Sequence, residues 1–336
     1  MLKNSQLNED NSPSASAPAP ASASASASAS ASASASDSGS RSPSPCPRTD
    51  LACESPGAVN SDAAGTKVRN RQISGIQISC LEVLSEAGEA ATGRRRGTYV
   101  TLYCPLMKYM DCEESENITE ALAAMLREMT EKLCGAPVGR STRVLVAGLG
   151  NRFITADALG PRTADKLAVT GHMMESGLLD SIGCSSLCAV HPGVMGQTGI
   201  EAFAMIKGAA EYARPDVVIA VDALAARSTR RLASTIQLSD TGIEPGSGIG
   251  NRRGAVNRES IGCPVIALGV PTVVDSATLV WDALEKAGCD DMGRLREVLE
   301  QEKSFFVSPK DGDVICDEVS SVLAAAINRA FQTEGL

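Results

Sequence analysis

Two hydrophobic rhythms run through this chain, after a long opening stretch that has neither. Apolar residues alternate in "GIQISCLEVL" (75–84) and "TYVTLYC" (98–104), which predicts two strands, because a period of two places every second side chain on one face. The two are expected to pair, with "SEAGEAATGRRRG" as their connection. The rhythm then becomes helical. Leu122, Met125, Leu126, Met129 and Leu133 share one face of a helix, and Gly135 and Pro137 end it.

From "RVLVAGLG" (143–150) onward, short apolar runs alternate with helical stretches. "LCAVHPG", "DVVIAVDAL", "STIQLSD" and "CPVIALGVP" predict strands, with "DVVIAVDAL" the most continuous buried run. "AFAMIKGAAEYA" and "DSATLVWDALEKAG" predict helices, and Pro161 suits the first turn of a helix running toward His172. The last helix carries Val319, Val322, Leu323, Ile327 and Phe331 on one face. Strands alternating with helices imply an α/β fold with helices on both faces of a mixed sheet. No internal repeat is present.

Composition changes this picture at the N-terminus. From Ser12 to about Pro45 the chain is nearly all Ala, Ser and Pro. Such a segment buries too little to offset its ordering entropy, so residues 1–47 are expected to be a disordered tail and 48–336 one α/β domain. A formal charge of −9 argues against nucleic acid as a direct ligand. No apolar run reaches membrane-spanning length, and "MLKNSQLNED" lacks the basic and apolar regions of a signal peptide. Eleven scattered cysteines, an odd number, read as reduced thiols of a cytoplasmic protein. Only Cys184 and Cys188 lie close, without zinc-ribbon partners, so neither metal nor cofactor is expected.

The candidate chemistry lies where predicted strands end, because ligands of open α/β sheets bind outside the carboxyl ends of the strands. Gly148, Gly150 and Asn151 follow one strand, and Asp157 lies a few residues on, in "ADALGPR". Asp222 ends another strand, in "VDALAARS". Two carboxylates converging on one cleft would have their proton affinities driven apart, so that one activates water and the other protonates a leaving group. The alternative is structural: Asp157 as a helix N-cap, worth about 1 kcal/mol, and Asp222 bonded to loop amides. The Gly-rich "GIEPGSGIGN", containing Gly246 and Gly248, is neither a P-loop nor a dinucleotide fingerprint; it suits a phosphate cradle or close approach to a substrate backbone, and loop geometry alone explains it equally. Arg227, Arg230 and Arg231 suit either an acidic ligand or a solvated face. His172 and His191 are the two histidines, and no Gly-x-Ser-x-Gly elbow is present.

Five motifs taken together, "GLGNRFITADALGPR", "HPGVMGQTGIE", "VVIAVDALAARS", "IQLSDTGIEPGSGIGN" and "PVIALGVPTVVD", resemble the spore germination proteases of endospore-forming bacteria. The resemblance runs from about Arg48 to the C-terminus. It implies an endopeptidase of small acid-soluble spore proteins, made as a self-processing zymogen, with an atypical aspartic mechanism whose two aspartates are Asp157 and Asp222. It further implies a three-layer α/β/α fold with a mixed, mostly parallel sheet like that of hydrogenase maturation proteases, a homotetramer, and a place in the cytoplasm of forespore and spore core. Neither a nucleic acid nor a membrane partner is implied. The family cuts after an acid and before a bulky apolar residue followed by Ala, and "RTDLACES" fits with a processing bond between Asp50 and Leu51. Two features depart from the family: a longer tail, and a shorter region between Ala287 and Ser308. "GLGN" followed by "ADALG" also echoes hydrogenase maturation proteases, in which His191 would be a metal ligand, and the Gly-rich loop leaves a non-catalytic nucleotide-binding module as a third reading.

Overall fold

A computed structural model describes residues 49–55, 64–105, 107–173, 184–244, 254–288 and 305–332. The chain divides into two units, Met1–Ser44 and Pro45–Leu336, and every described residue belongs to the second. The strands are β1 (Thr66–Ile73), β2 (Ile76–Val83), β3 (Gly97–Tyr103), β4 (Arg143–Gly148), β5 (Ser186–Val190), β6 (Val217–Ala226), β7 (Thr235–Ser239), β8 (Val265–Asp275) and β9 (Phe306–Val307). They form one sheet in the order β1-β2-β3-β7-β8-β6-β4-β5, with β9 added beside the end of β8.

The helices are α1 (Glu86–Thr92), α2 (Cys112–Cys134), α3 (Leu159–Asp165), α4 (Met195–Thr198), α5 (Ala202–Ala213), α6 (Arg258–Ile261), α7 (Ser276–Lys286) and α8 (Gly312–Phe331). They cover both faces. Alternate residues of one strand feed two cores: Val217, Ile219 and Val221 of β6 pack with α2, α3 and α8, while Val218 and Ala220 pack with Ile206 and Ala210 of α5. This two-sided burial is why the run "VVIAV" is apolar without alternation. Helix α2 begins with a reciprocal cap, Glu114 N to Asp111 at 2.8 Å and Asp111 N to Glu114 at 3.1 Å, and ends at Gly135.

The sheet is mixed, but the expectation that it is mostly parallel is overturned. Only β5-β4, β4-β6 and β6-β8 pair parallel; β1-β2, β2-β3, β3-β7, β7-β8 and β8-β9 are antiparallel. The connection from Ala226 to Thr235 holds only a short 3-10 turn, Thr229–Arg231, and a parallel crossover needs a dozen residues or more. β7 must therefore return antiparallel. The helix that Pro161 opens stops at Asp165 rather than running toward His172, because Thr170 turns back onto β5: Thr170 N donates to Leu187 O at 3.0 Å and Thr170 Oγ1 accepts from Leu187 N at 2.9 Å.

β4 and α3 approach so closely that Gly148 has no room for a side chain. A Cβ there would lie 2.4 Å from Gly160 O, and neither partner is a flexible side-chain end. Gly148→Ala is expected to destabilise the fold by about 1–3 kcal/mol through overpacking. Urea denaturation measures this, and a wild-type midpoint would show that the contact yields.

Candidate active site

Where β4 ends, the chain must leave the sheet without exposing polar backbone. Leu149 N donates to Val221 O at 2.8 Å, and Gly150 then turns with φ +108°. A Cβ at Gly150 would lie 2.1 Å from Asp157 O, so glycine lets this loop lie flat against the 3-10 turn Thr155–Asp157. Asn151 N then donates to Asp157 Oδ2 at 2.7 Å, and the Asn151 side chain accepts from Phe153 N at 3.0 Å. The Asp157 carboxylate is thereby fixed in the loop. It does not cap a helix: α3 starts from Ala158 without a side-chain cap.

Asp222 belongs to the interior of β6, not to its end. The last pairing with β4 is Gly148↔Val221, so at Asp222 the strand has lost its β4 neighbour while still pairing with Gly269 of β8. The side chain is half-buried in the wall of a cleft of about 780 Å³ that Gly150, Asn151 and Asp157 also line. Desolvation raises the Asp222 pKa well above the usual aspartate value, the Asp157 charge raises it further, and the Ala223 amide, donating to Oδ1 at 2.9 Å, opposes both. Asp50 adds a smaller push in the same direction as Asp157.

The processing pair expected from "RTDLACES" lies at this cleft. Asp50 lines it, and its carboxylate accepts from Ala225 N at 2.8 Å while its own N donates to Ala225 O at 2.8 Å. Leu51 is fully buried against Leu224, Ala226 and Val274. Two grips on this segment were not anticipated. Arg94 lies inside the basic run "GRRRG", which reads as a solvated connector, yet its guanidinium donates to Thr49 O at 2.9 Å and to Asp50 O and Leu51 O at 3.0 Å each. Gln237 of β7 accepts from Ala52 N at 2.5 Å and donates to Asp50 O at 3.0 Å. A buried Gln between apolar neighbours in "TIQLS" was a usable signal, because a buried amide needs partners.

Other candidates stand elsewhere. Gly148 does not line the cleft; it packs against Gly160. The Arg227 side chain also turns away, to Asp282 at 2.9 Å and Glu285 at 3.1 Å. Gly246 and Gly248 lie outside the described residues. His191 faces Asp165 at 3.3 Å, and Arg231 lies over the Tyr103 ring. Among the described residues no three His, Cys, Asp or Glu side chains gather as a metal site.

This geometry defines an α/β protein in which two carboxylates share a cleft with an extended stretch of chain. The sequence matches a known class of peptidase. The germination protease family model matches residues 50–288. A germination protease of Clostridium acetobutylicum is 38% identical over 315 residues, covering 85% of this chain and 95% of its own. One from Caldanaerobacter subterraneus is 38% identical over 312 residues, 85% of this chain and 94% of its own. One from Oceanobacillus iheyensis is 42% identical over 249 residues, 71% of this chain and 66% of its own. The chain belongs to the germination protease family.

The raised pKa of Asp222 makes a signed prediction about stability. Its contribution is fully present below the ordinary aspartate pKa and is lost as pH rises through the higher folded value. Asn keeps the shape of the neutral acid at every pH. Asp222→Asn is therefore expected to raise Tm at pH 8 by about 2–4 °C for each kcal/mol recovered, with the gain shrinking toward pH 4. Calorimetry across this range checks it; a gain that grows toward low pH would contradict the raised pKa.

Proposed function

We propose that the protein is an endopeptidase that initiates degradation of small acid-soluble spore proteins in germination, with Asp157 and Asp222 as its acid–base pair. The observation that carries this reading is that both carboxylates line one cleft with Asp50, the residue before the bond expected to be processed. Asp157, held by the Asn151 amide, takes a proton from water as the water oxygen attacks the peptide carbonyl carbon. Asp222, which burial favours in the protonated form, gives its proton to the leaving amide nitrogen as the C–N bond breaks. A proton then passes from Asp157 back to Asp222 through solvent.

Cleavage follows an acidic residue and precedes a bulky apolar residue followed by Ala. The chain is a zymogen that cuts itself between Asp50 and Leu51: the tail of 1–47 leaves together with Arg48, Thr49 and Asp50, and the remainder of 48–336 is one protease domain. The working enzyme is a homotetramer in the cytoplasm of forespore and spore core. No helix among the described residues is long and apolar enough to cross a membrane. The shortened stretch before β9, a candidate for altered subunit contacts, falls largely outside the described residues.

Asn at either Asp157 or Asp222 is expected to lower peptide turnover about 10²–10⁴-fold with the fold retained, since the amide cannot relay a proton. Hydrolysis of a spore-protein peptide measures this, and unchanged turnover would remove that residue from the mechanism. N-terminal sequencing of processed wild type is expected to begin Leu-Ala-Cys-Glu, while Asp222→Asn stays full length. The metal-using alternative needs His191 as a ligand, and His191 is engaged with Asp165. Chelator treatment is expected to leave turnover unchanged; loss with recovery on added zinc or nickel would favour a metal-dependent enzyme.

A further inference from the structure

The grips on residues 49–55 divide into two kinds. Those of Arg94 and Gln237 fall mainly on main-chain atoms: the carbonyls of Thr49, Asp50 and Leu51, and the amide of Ala52. Such bonds are indifferent to side chains and would hold any peptide that follows the same path, extended through Leu51 and then turned in a 3-10 helix at Ala52–Glu54. The others read side chains. Leu51 fills an apolar pocket of Leu224, Ala226 and Val274. The Glu54 carboxylate accepts from the backbone amides of Arg227 at 2.7 Å and Ser228 at 3.0 Å. Two adjacent amides aimed at one carboxylate form a seat for an acid.

Gln237 and Arg94 give this grip its second argument. Gln237 is 8% exposed, and both ends of its amide are used by residues 50–52. The Arg94 guanidinium, whose pKa burial pulls down, makes four hydrogen bonds to residues 49–55, including one to Ser55 Oγ at 2.9 Å. With the segment gone these groups would lose their partners, and buried polar groups without partners are unfavourable. The site is built to be filled by peptide.

We propose that Arg94, Gln237, the Leu224–Ala226–Val274 pocket and the Arg227 and Ser228 amides are the peptide-recognition subsites of the enzyme. Residues 49–55 occupy them in cis, and a substrate with the order acid, Leu-sized apolar residue, two small residues, acid takes their place in trans, the second small residue because Cys53 packs against the same cluster. This rests on the reading that the neighbouring aspartates cut peptides. It adds the residues that choose which peptide is held and in what register.

The test reads binding rather than turnover. The full-length Asp222→Asn chain is titrated against a fluorescent peptide, Thr-Asp-Leu-Ala-Ser-Glu-Ser, followed by anisotropy. Leu51→Asp, added to empty the apolar pocket, is expected to tighten binding at least tenfold, and Glu54→Lys, at the half-exposed end of the segment, is a second way to loosen it. Gln237→Leu added to either is expected to weaken binding again at least tenfold. Two altered peptides, with Leu replaced by Asp or Glu by Lys, leave the protein untouched and are each expected to bind at least tenfold more weakly than the parent. Equal affinity for all three peptides, or equal binding by filled and loosened chains, would overturn the proposal. Selective binding by a chain in which Asp157→Asn still hydrolyses the peptide would instead sink the catalytic assignment and leave the subsites standing.

Discussion

A carboxyl group set into the interior of a strand has to be held neutral or paired, and the surroundings of Asp222 push it toward its neutral form. Water reaches it only partly, a second carboxylate stands across the same cleft, and a single amide offers compensation. Everything around it follows from keeping this arrangement rigid. β4 has to end one residue short of Asp222 so that the cleft can open there. Gly148 has to lack a side chain so that α3 can close behind β4, and Gly150 has to bend so that the Asp157 turn meets the loop. These glycines serve the carboxylates by position rather than by touching a ligand.

The cleft is also a place where the sheet changes character. On one side of β8 the strands run parallel, and on the other β7 and the β3-β2-β1 meander run antiparallel. The parallel half supplies Asp157 from the loop after β4 and Asp222 from the interior of β6. The antiparallel half supplies Gln237 from β7, and Arg94 from the link between α1 and β3. The chemistry therefore comes from the parallel half, while the peptide grip draws on both: Arg94 and Gln237 from the antiparallel half, and the Leu224–Ala226–Val274 pocket with the Arg227 and Ser228 amides from the parallel half. Their relative placement is fixed by the main-chain ladder between β7 and β8 rather than by a hinge.

Much of this was legible because burial on two faces writes continuous apolar runs, and helix α2 writes its own cap and stop. β1 was not legible. "TKVRNRQI" is an edge strand with few apolar residues, formed by pairing with β2 through the left-handed two-residue turn Ser74–Gly75. The direction of β7 was hidden for a different reason: a strand's sequence gives its period and not its polarity, and only the short connection from β6 betrays it. Asp157 and Asp222 were visible as two similar junctions. Arg94 was camouflaged among three arginines, of which Arg96 pairs outward with Glu86 and Glu89 while Arg94 points in. Arg227 drew attention for its charge, yet its contribution to the cleft region is its backbone amide, which sequence reading cannot assign.

Charge limits the ways in which the zymogen proposed above could be restrained. Residues 1–50 hold three basic and four acidic side chains, so their removal hardly alters the formal charge of −9. Long-range repulsion is thus a poor candidate for what restrains a full-length chain. Occupancy is a local effect and depends on covalent tethering: a segment joined to the domain meets its seat at a high effective concentration, whatever the salt. The interactions that hold it are a filled apolar pocket, main-chain hydrogen bonds and a carboxylate on two amides, and of these only the last responds appreciably to ionic strength. A cut after Asp50 would free the chain up to Asp50 and weaken the hold on the segment, but it would leave the Leu51 and Glu54 anchors on the domain side of the break for a substrate to displace. The new amino terminus at Leu51 would then carry a positive charge at the mouth of a cleft that holds Asp157 and Asp222. That charge favours ionised carboxylates, which suits Asp157 as the base but works against the protonated form that Asp222 needs, so the burial of Asp222 has to outweigh it for the pair to act as proposed.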